Sequence, residues 1–562
     1  MKRKSMIALA LASTMLLSAC SSSNGASDTT NSSSNSSSST TNATNNSENT
    51  TSEPDSSHPS YLNMDSQFPI VNEPITLTVM VSQGAVQGDF EDIYVFQQYE
   101  EMTGINIEWI NVPSGVRSER INLAMNDVGN MPDIFLKMNI SSVNQLQYGD
   151  DGAILDLSQA NLLETYAPNF YSFMEDNPNV KQSQTSPNGE IYSLPAAVDS
   201  PATKINRKIF INQTWLDNLG LAQPVTYEDW YNVLYAFKYD DPNGNGIQDE
   251  IPLTQSAGNL TSMFQGMWGL GNRGIHHTSF DIDETTGSVR HIKTADEYRE
   301  VLEYIHKLYT DGLIDPEFLT YNDQKASALV SNDQLGVYLN TNLAMLPKEA
   351  EEHFVGIEAA PMGPNGDQVW SFMRSSLHST GAFIISSECE YPEAALQWVD
   401  YFFSDEGMLF YHYGVEGETY IQTDDGYEFM PYILDRMDEG KSYDEAIADI
   451  TPYGYGNNPT VMKAPYFAGA EEDPIPSQAA ANLLPYTPDE VWPFFNYTIE
   501  ENKIITDINS PINSYTTQKT AEFIMGQTPI NDDTWKEYVD TVYAMGLEQV
   551  LEVYEAAYAR IK

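Results

Sequence analysis

Cysteine and positive charge are what this chain has least of. Only Cys20 and Cys389 occur, too few for a disulfide framework; with Cys20 consumed at export, Cys389 has no partner and the fold no disulfide. Against 80 acidic residues stand 27 lysines and arginines, a formal net charge of −53. Nucleic acid and anionic lipid headgroups both require a basic face, so neither is expected as a partner. With so many carboxylates, neighbouring acid pairs arise everywhere and carry no catalytic meaning. The sequence has no Gly-x-Ser-x-Gly, no His-Glu-x-x-His and no phosphate loop. Its eight histidines fall at no ligand-like spacing, and His276-His277 reads as an exposed turn.

Long apolar runs are also missing at the N-terminus. Lys2, Arg3 and Lys4 precede an apolar stretch from Met6 to Leu17, shorter than the roughly 20 residues that cross a bilayer. Residues 1–20 therefore read as an export signal, and Leu17-Ser-Ala-Cys20 resembles a bacterial lipobox, making Cys20 the lipidated mature N-terminus. Residues 21–60 are almost wholly Ser, Thr, Asn, Gly and acids. With no apolar face to bury they predict a disordered tether, spanning about 35 Å as a flexible coil. Lipid and tether together suit a device that holds a folded body off a membrane, on the extracellular face.

What is present begins near Tyr61. The length suits two or three domains. Ile75 to Val81 predicts a strand, a helix carries Ile93, Phe96 and Tyr99 up to Gly104, and Ile105 to Val112 predicts a second strand. A helix over 118–127 and the strand Pro132 to Leu136 follow. Such alternation predicts a parallel α/β sheet. Helices are expected over 230–237 and 298–309, strands over 336–339 and 381–385, and a helix from Pro392. Near the end, Trp535, Tyr538, Val542, Leu547, Val550, Tyr554 and Tyr558 keep helical spacing, which predicts core packing. No internal repeat is visible.

The most informative stretch is Asp241-Pro-Asn243-Gly-Asn245-Gly246-Ile247-Gln-Asp249-Glu250. Oxygen-bearing side chains stand at the first, third, fifth and ninth loop positions, with Gly246 at the sixth turn position. That is the order in which an EF-hand-type loop wraps calcium. Asp241, Asn243, Asn245 and Asp249 would supply side-chain oxygens, and Ile247 its carbonyl. Pro252 occupies the place of the usual bidentate glutamate, so Glu250 must close the shell. The same residues dominate ordinary turns, but that full set of offsets with the glycine favours a structural calcium, tying a helix end to the strand that starts at Ile251. It leaves no open position for chemistry.

Several stretches together resemble the extracellular solute-binding lipoproteins of Gram-positive ABC importers, in the carbohydrate-binding group that includes LipO-like and alginate-oligosaccharide-binding proteins. They are Met131-Pro-Asp133-Ile, Asn188-Gly-Glu-Ile-Tyr192-Ser-Leu-Pro195, Trp215 to Leu221, Pro224 to Trp230, Tyr309 to Pro316, Trp398 to Gly407, Tyr413 to Gly417, Met545-Gly-Leu547 and Tyr558-Ala-Arg560. The resemblance implies a two-lobed α/β periplasmic-binding-protein-like fold of type II, with a hinge and a ligand cleft. Lobe 1 would be 61–198 and 378–420, lobe 2 199–377 and 481–562, with 421–480 assigned to neither. Crossings would fall near Leu194 to Asp199 and Arg374 to Ala382. The metal positions carry over onto Asp241, Asn243, Asn245, Ile247, Asp249 and Glu250. By position, the candidate ligand contacts are Trp268, Lys137, Asn139, Asn340, Asn342 and Arg374, with Trp268 expected to stack on a sugar ring.

The resemblance further implies a monomer that binds an oligosaccharide without altering it, with ABC permease subunits as partners and the membrane reached through the lipid anchor only. A secreted glycoside hydrolase would share the export signal and acidity but brings no signature here. Peptide-binding and sensory lipoproteins remain alternatives. A dockerin-type scaffold would carry a duplicated calcium loop, and this chain has one copy.

Overall fold

The computed structural model describes residues 58–562 apart from 425, 439–440, 442, 453–455 and 468. Cys20, the export signal and the tether up to residue 57 lie outside the described residues. In chain order the strands are β1 (Ile75–Gln83), β2 (Ile105–Pro113), β3 (Ile134–Leu136), β4 (Leu194–Val198), β5 (Lys208–Asn212), β6 (Ile251–Leu253), β7 (Phe280–Ile282), β8 (Val289–His291), β9 (Leu335–Asn340), β10 (Phe354–Gly356), β11 (Leu377–Ile385), β12 (Tyr420–Thr423), β13 (Gly426–Phe429) and β14 (Val461–Met462).

Two of the sheets organise the molecule as two α/β lobes. The first has the order β14-β4-β11-β3-β1-β2 and the second β10-β5-β9-β6. β1 runs parallel to β2 and β3, as the alternation of strands and helices predicts. β11 departs from that expectation: it is antiparallel to both β3 and β4. A parallel neighbour needs a crossover that carries the chain back over its own sheet. β11 instead arrives from the second lobe and enters the sheet from the other end.

Each lobe has its own core. In the first, Trp398 stacks on Phe96 with ring centroids 6.0 Å apart and sits against Phe383. In the second, Trp215, Trp230, Trp370 and Trp492 are fully buried. Burying whole aromatic side chains contributes a few kcal/mol each, about 25 cal/mol per Å² of apolar surface. The helices Asp532–Ala544 and Leu547–Ile561 join this second core through Trp535, Tyr538, Val542, Leu547, Val550, Tyr554 and Tyr558.

Three segments pass between the lobes. β4 leads into the short helix Pro201–Lys204. The return runs through 373–377, where Met373 bridges Ile205 and the amide of Val198 donates to the Ser376 carbonyl at 2.8 Å. The third follows from residues 421–480. They form the β12–β13 hairpin, two helices and β14 at the edge of the first sheet. The chain then passes through Ala470–Glu472 into the helix Pro474–Leu483, which packs on β5 and β10 of the second sheet.

Candidate functional site

The loop at 241–250 grows directly out of the second lobe's packing. Thr226 and Asp229 cap the helix Tyr227–Tyr239 reciprocally, and Trp230, Val233, Leu234 and Phe237 bury its inner face. Gly336 lets β9 approach that helix, since a Cβ there would lie 2.5 Å from the Phe237 ring and 2.8 Å from the Pro252 carbonyl. The chain then turns through Asp241, Gly244 and Gly246, all at positive φ, and enters β6. One Asp241 carboxylate oxygen accepts from the Gly246 amide at 3.0 Å, and the Asn245 side chain accepts from the Ile247 amide at 2.6 Å. Asp249 accepts from the Gln334 side chain at 2.6 Å.

Glu250 is the telling member. It is 0% exposed, and both carboxylate oxygens lack a hydrogen-bond partner. Burial first, then the neighbouring carboxylates of Asp249 and Asp241, push its pKa up. A buried carboxylate without a partner is costly, and a hard divalent cation among these oxygens would supply what it lacks. No three His, Cys, Asp or Glu side chains among the described residues converge to hold a metal by themselves. The loop's set instead mixes Asp241, Asp249 and Glu250 with the amides of Asn243 and Asn245 and the carbonyl of Ile247, and the orphaned Glu250 fits such an ion.

A second polar region lies between the two sheets. Lys137 follows β3 at φ 56° and is 3% exposed; its Nζ donates to the Pro452 carbonyl at 2.5 Å, and burial holds its pKa down at about 7. Asn139, in the same turn at φ 49°, is exposed. Gly381 keeps β11 against this turn, since a Cβ there would lie 2.2 Å from the Ile140 carbonyl. The charge of Asp444, on the helix Tyr443–Ile447, interacts with Lys137 and with Glu471 of the third crossing. Glu471 in turn acts on Lys208, at the start of β5, as does Arg374. Lys208 is buried and donates to the carbonyls of Ala202 at 2.6 Å and Thr341 at 2.8 Å. First-lobe groups are thus linked electrostatically to second-lobe groups through a crossing segment.

Asn340 closes this region on the second lobe. Its amide donates to Asp323 at 3.1 Å and to the Tyr338 hydroxyl at 2.5 Å, and it accepts from Arg207 at 3.4 Å. Asn342, half-buried, accepts from the Ala344 amide at 3.0 Å. Arg374 donates to the Asn206 side chain. Of the six candidates, Lys137, Asn139, Asn340, Asn342 and Arg374 therefore belong to this neighbourhood. Trp268 does not: it is 7% exposed in the second lobe's core, with its ring 5.7 Å from that of Tyr304. Its ring is taken up largely by core packing rather than presented to solvent. Asp323, Arg207, Lys208, Asp444 and Glu471 went unnoticed in the sequence, where only the adjacent cations Arg207-Lys208 ahead of an apolar strand gave any signal.

His276-His277 corrects a second expectation. The pair is no exposed turn: the His276 ring lies 3.8 Å from that of Phe494, and His277 is buried and bonded to the Pro493 carbonyl at 2.8 Å. Aromatic neighbours from 492–495 cover it, a contact invisible at a separation of over two hundred residues. Cys389 is a free thiol whose pKa burial pushes up to about 12. Among the described residues no helix is long and apolar enough to cross a membrane.

Known proteins share this architecture. FusA of Streptococcus pneumoniae serotype 4, described as a fructooligosaccharide ABC transporter substrate-binding protein, is 26% identical over 523 residues, 90% of this chain and 94% of FusA. Lipoprotein LipO of Bacillus subtilis (strain 168) is 27% identical over 347 residues, 58% of this chain and 63% of LipO. Among solved structures, FusA in complex with kestose gives a TM-score of 0.70 at 24% identity, covering 87% of this chain and 100% of that one. The alginate-binding protein AlgQ2 without calcium ion gives 0.67 at 22% identity, over 87% and 99% of the two chains. Both structural likenesses speak for the two-lobed fold. The family model for bacterial extracellular solute-binding proteins matches residues 85–409. That stretch is more than half of the sequence and includes strands of both sheets, and the chain belongs to this family.

Proposed function

We propose that the protein captures an oligosaccharide between its lobes and delivers it, chemically unchanged, to the permease of an ABC importer. What supports this reading is the chain of charges that runs from one lobe to the other, Asp444 acting on Lys137 and Glu471, and Glu471 and Arg374 on Lys208; Asn139, Asn340 and Asn342 would add amides to it from either side. A ligand shifts an open–closed balance only by making better contacts in the closed state, so contacts from both lobes are what such a receptor needs. The relatives support a saccharide: FusA is described with fructooligosaccharides and solved with kestose.

In this reading Asp241, Asn243, Asn245, Ile247, Asp249 and Glu250 hold a calcium ion that stabilises the second lobe. FusA has been solved as an EF-hand mutant and AlgQ2 without calcium ion, which supports a metal loop here. The ion would neutralise Glu250 and its two neighbouring aspartates and would take no part in ligand chemistry. Cys20 carries the lipid on the extracellular face, and the tether lets the body reach its permease as a monomer. Isothermal titration of the full chain against a glycan panel, with a peptide panel beside it and chromatography of the recovered ligand, tests the central point. Saturable binding of an intact saccharide is the expected outcome. Shortened products would mean a hydrolase, and binding of peptides alone would replace the saccharide.

A further inference from the structure

Resting on the oligosaccharide reading, we infer that the interlobe cleft selects uncharged saccharides and rejects polyuronates of the same length. Both the cations and the anions around the cleft favour a neutral ligand. A uronate is normally met by an arginine fork or a lysine with donors to spare. Here Lys137 is buried and donates to the Pro452 carbonyl at 2.5 Å, and Lys208 is buried and donates to two backbone carbonyls at 2.6 and 2.8 Å. Arg374 is engaged by Asn206. Arg207 donates to Asn340, whose amide donates in turn to Asp323, so a carboxylate stands behind that guanidinium. Lys204, on the first crossing, pairs with Asp199 at 3.2 Å. Chain carboxylates also act on both lysines, Asp444 on Lys137 and Glu471 with Glu472 on Lys208, so an incoming carboxylate would compete with groups already in place.

Asp444 approaches from the first lobe, and Glu471, Glu472 and Asp473 sit together on the third crossing. Glu472 accepts from the Ser200 hydroxyl at the first crossing. Asp444 and Glu472 are half-buried; burial raises the pKa of both and Glu471 adds to it, while Lys137 acts against it at Asp444 and the Ser200 hydroxyl and Lys208 act against it at Glu472. A further carboxylate brought among them would meet like charge in a site that screens poorly, which is how interfaces exclude a wrong partner. On the flanking segments, Ser375 and Thr451 each carry a buried hydroxyl without a hydrogen-bond partner. Hydroxyls of that kind both donate to and accept from sugar hydroxyls, whereas an ionised carboxylate only accepts.

The test is titration of the full chain with matched-length neutral oligosaccharides (fructans, glucans, xylans) and with oligogalacturonate and oligoalginate. The neutral series should bind more tightly by about tenfold or more, and the gap should narrow as salt is raised. The double variant Asp444→Asn with Glu471→Gln should narrow the gap between uronates and neutral sugars, whatever it does to either affinity alone, its folding checked by calorimetry; Glu472→Gln is the fallback if that variant unfolds. Uronates binding as well as or better than neutral sugars would overturn the inference and leave the receptor reading intact. A preference insensitive to salt and to these substitutions would also overturn it. Failure of every saccharide to bind would overturn both.

Discussion

The loop at 241–250 and the cleft between the sheets are both polar regions in a strongly acidic protein, and they are built in opposite ways. The loop takes all its oxygens from ten consecutive residues and leaves one of them, Glu250, buried without a partner. The cleft draws on residues from 137 to 473, and its buried lysines are already bonded to backbone carbonyls. One region is locally encoded and leaves a carboxylate without a partner; the other is assembled by folding from groups far apart in the chain. A region of the first kind should respond to an ion and the second to a ligand.

The largest effect that separates packing from either region is expected at Trp268. Buried beside Tyr304, its replacement by alanine should cost about 3–5 kcal/mol of stability. Denaturant unfolding measures that cost, and affinity of the still-folded protein should change little. A large loss of affinity at unchanged stability would put Trp268 back in the cleft.

Next comes the ion. An ion that binds only the folded loop adds about 2.7 kcal/mol at a hundred times its Kd. Chelator should therefore lower the melting temperature by several degrees, and Asp241→Ala with Asp249→Ala should abolish that response. Glu250→Gln sharpens the point because its sign depends on conditions. Removing a buried, uncompensated charge should raise the melting temperature in chelator and lower it in calcium. An identical shift in both would separate Glu250 from any ion.

A smaller effect is expected at the cleft. Asn139 is exposed at φ 49°, so Asn139→Gly keeps the backbone and removes only the amide. Affinity should fall by about 1 kcal/mol with the melting temperature near that of the wild type.

The least local effect is on acid stability. Burial, the leading cause in each case, holds His276 and His291 down at about 3 and His277 and His378 at about 4, against an ordinary 6.5. Each folded-state value lies below the unfolded one, so this stability is complete above about pH 6.5 and is lost as pH falls towards 4. Melting temperature against pH, followed with calcium present, should decline over that window. A flat profile would mean that these histidines titrate as they do in the unfolded chain.

How far the sequence could be read follows the same division. The turn at 241–250 was legible because its residues are contiguous, as were β1, β3, β9 and the helices at 227–239 and 296–310, whose periodicity is local. β11 looked like one more buried strand, yet its direction depends on where the chain had been. Trp268 sits among Gly and Gln residues with little helical periodicity, which suggested an open ring, while the contact that covers it comes from Tyr304. Asp444 and Glu471 lie in a stretch rich in Tyr, Pro, Gly and acids with no clear period. Only the folded chain puts Asp444 near Lys137 and Glu471 near Lys208.

Small-angle scattering of the full chain through a titration with the tightest-binding neutral oligosaccharide tests the central claim most directly. Capture between two lobes predicts a radius of gyration that falls as the sites fill and reaches its limit at one sugar per chain, with the sugar recovered intact. An unchanged radius at demonstrated saturation would contradict it.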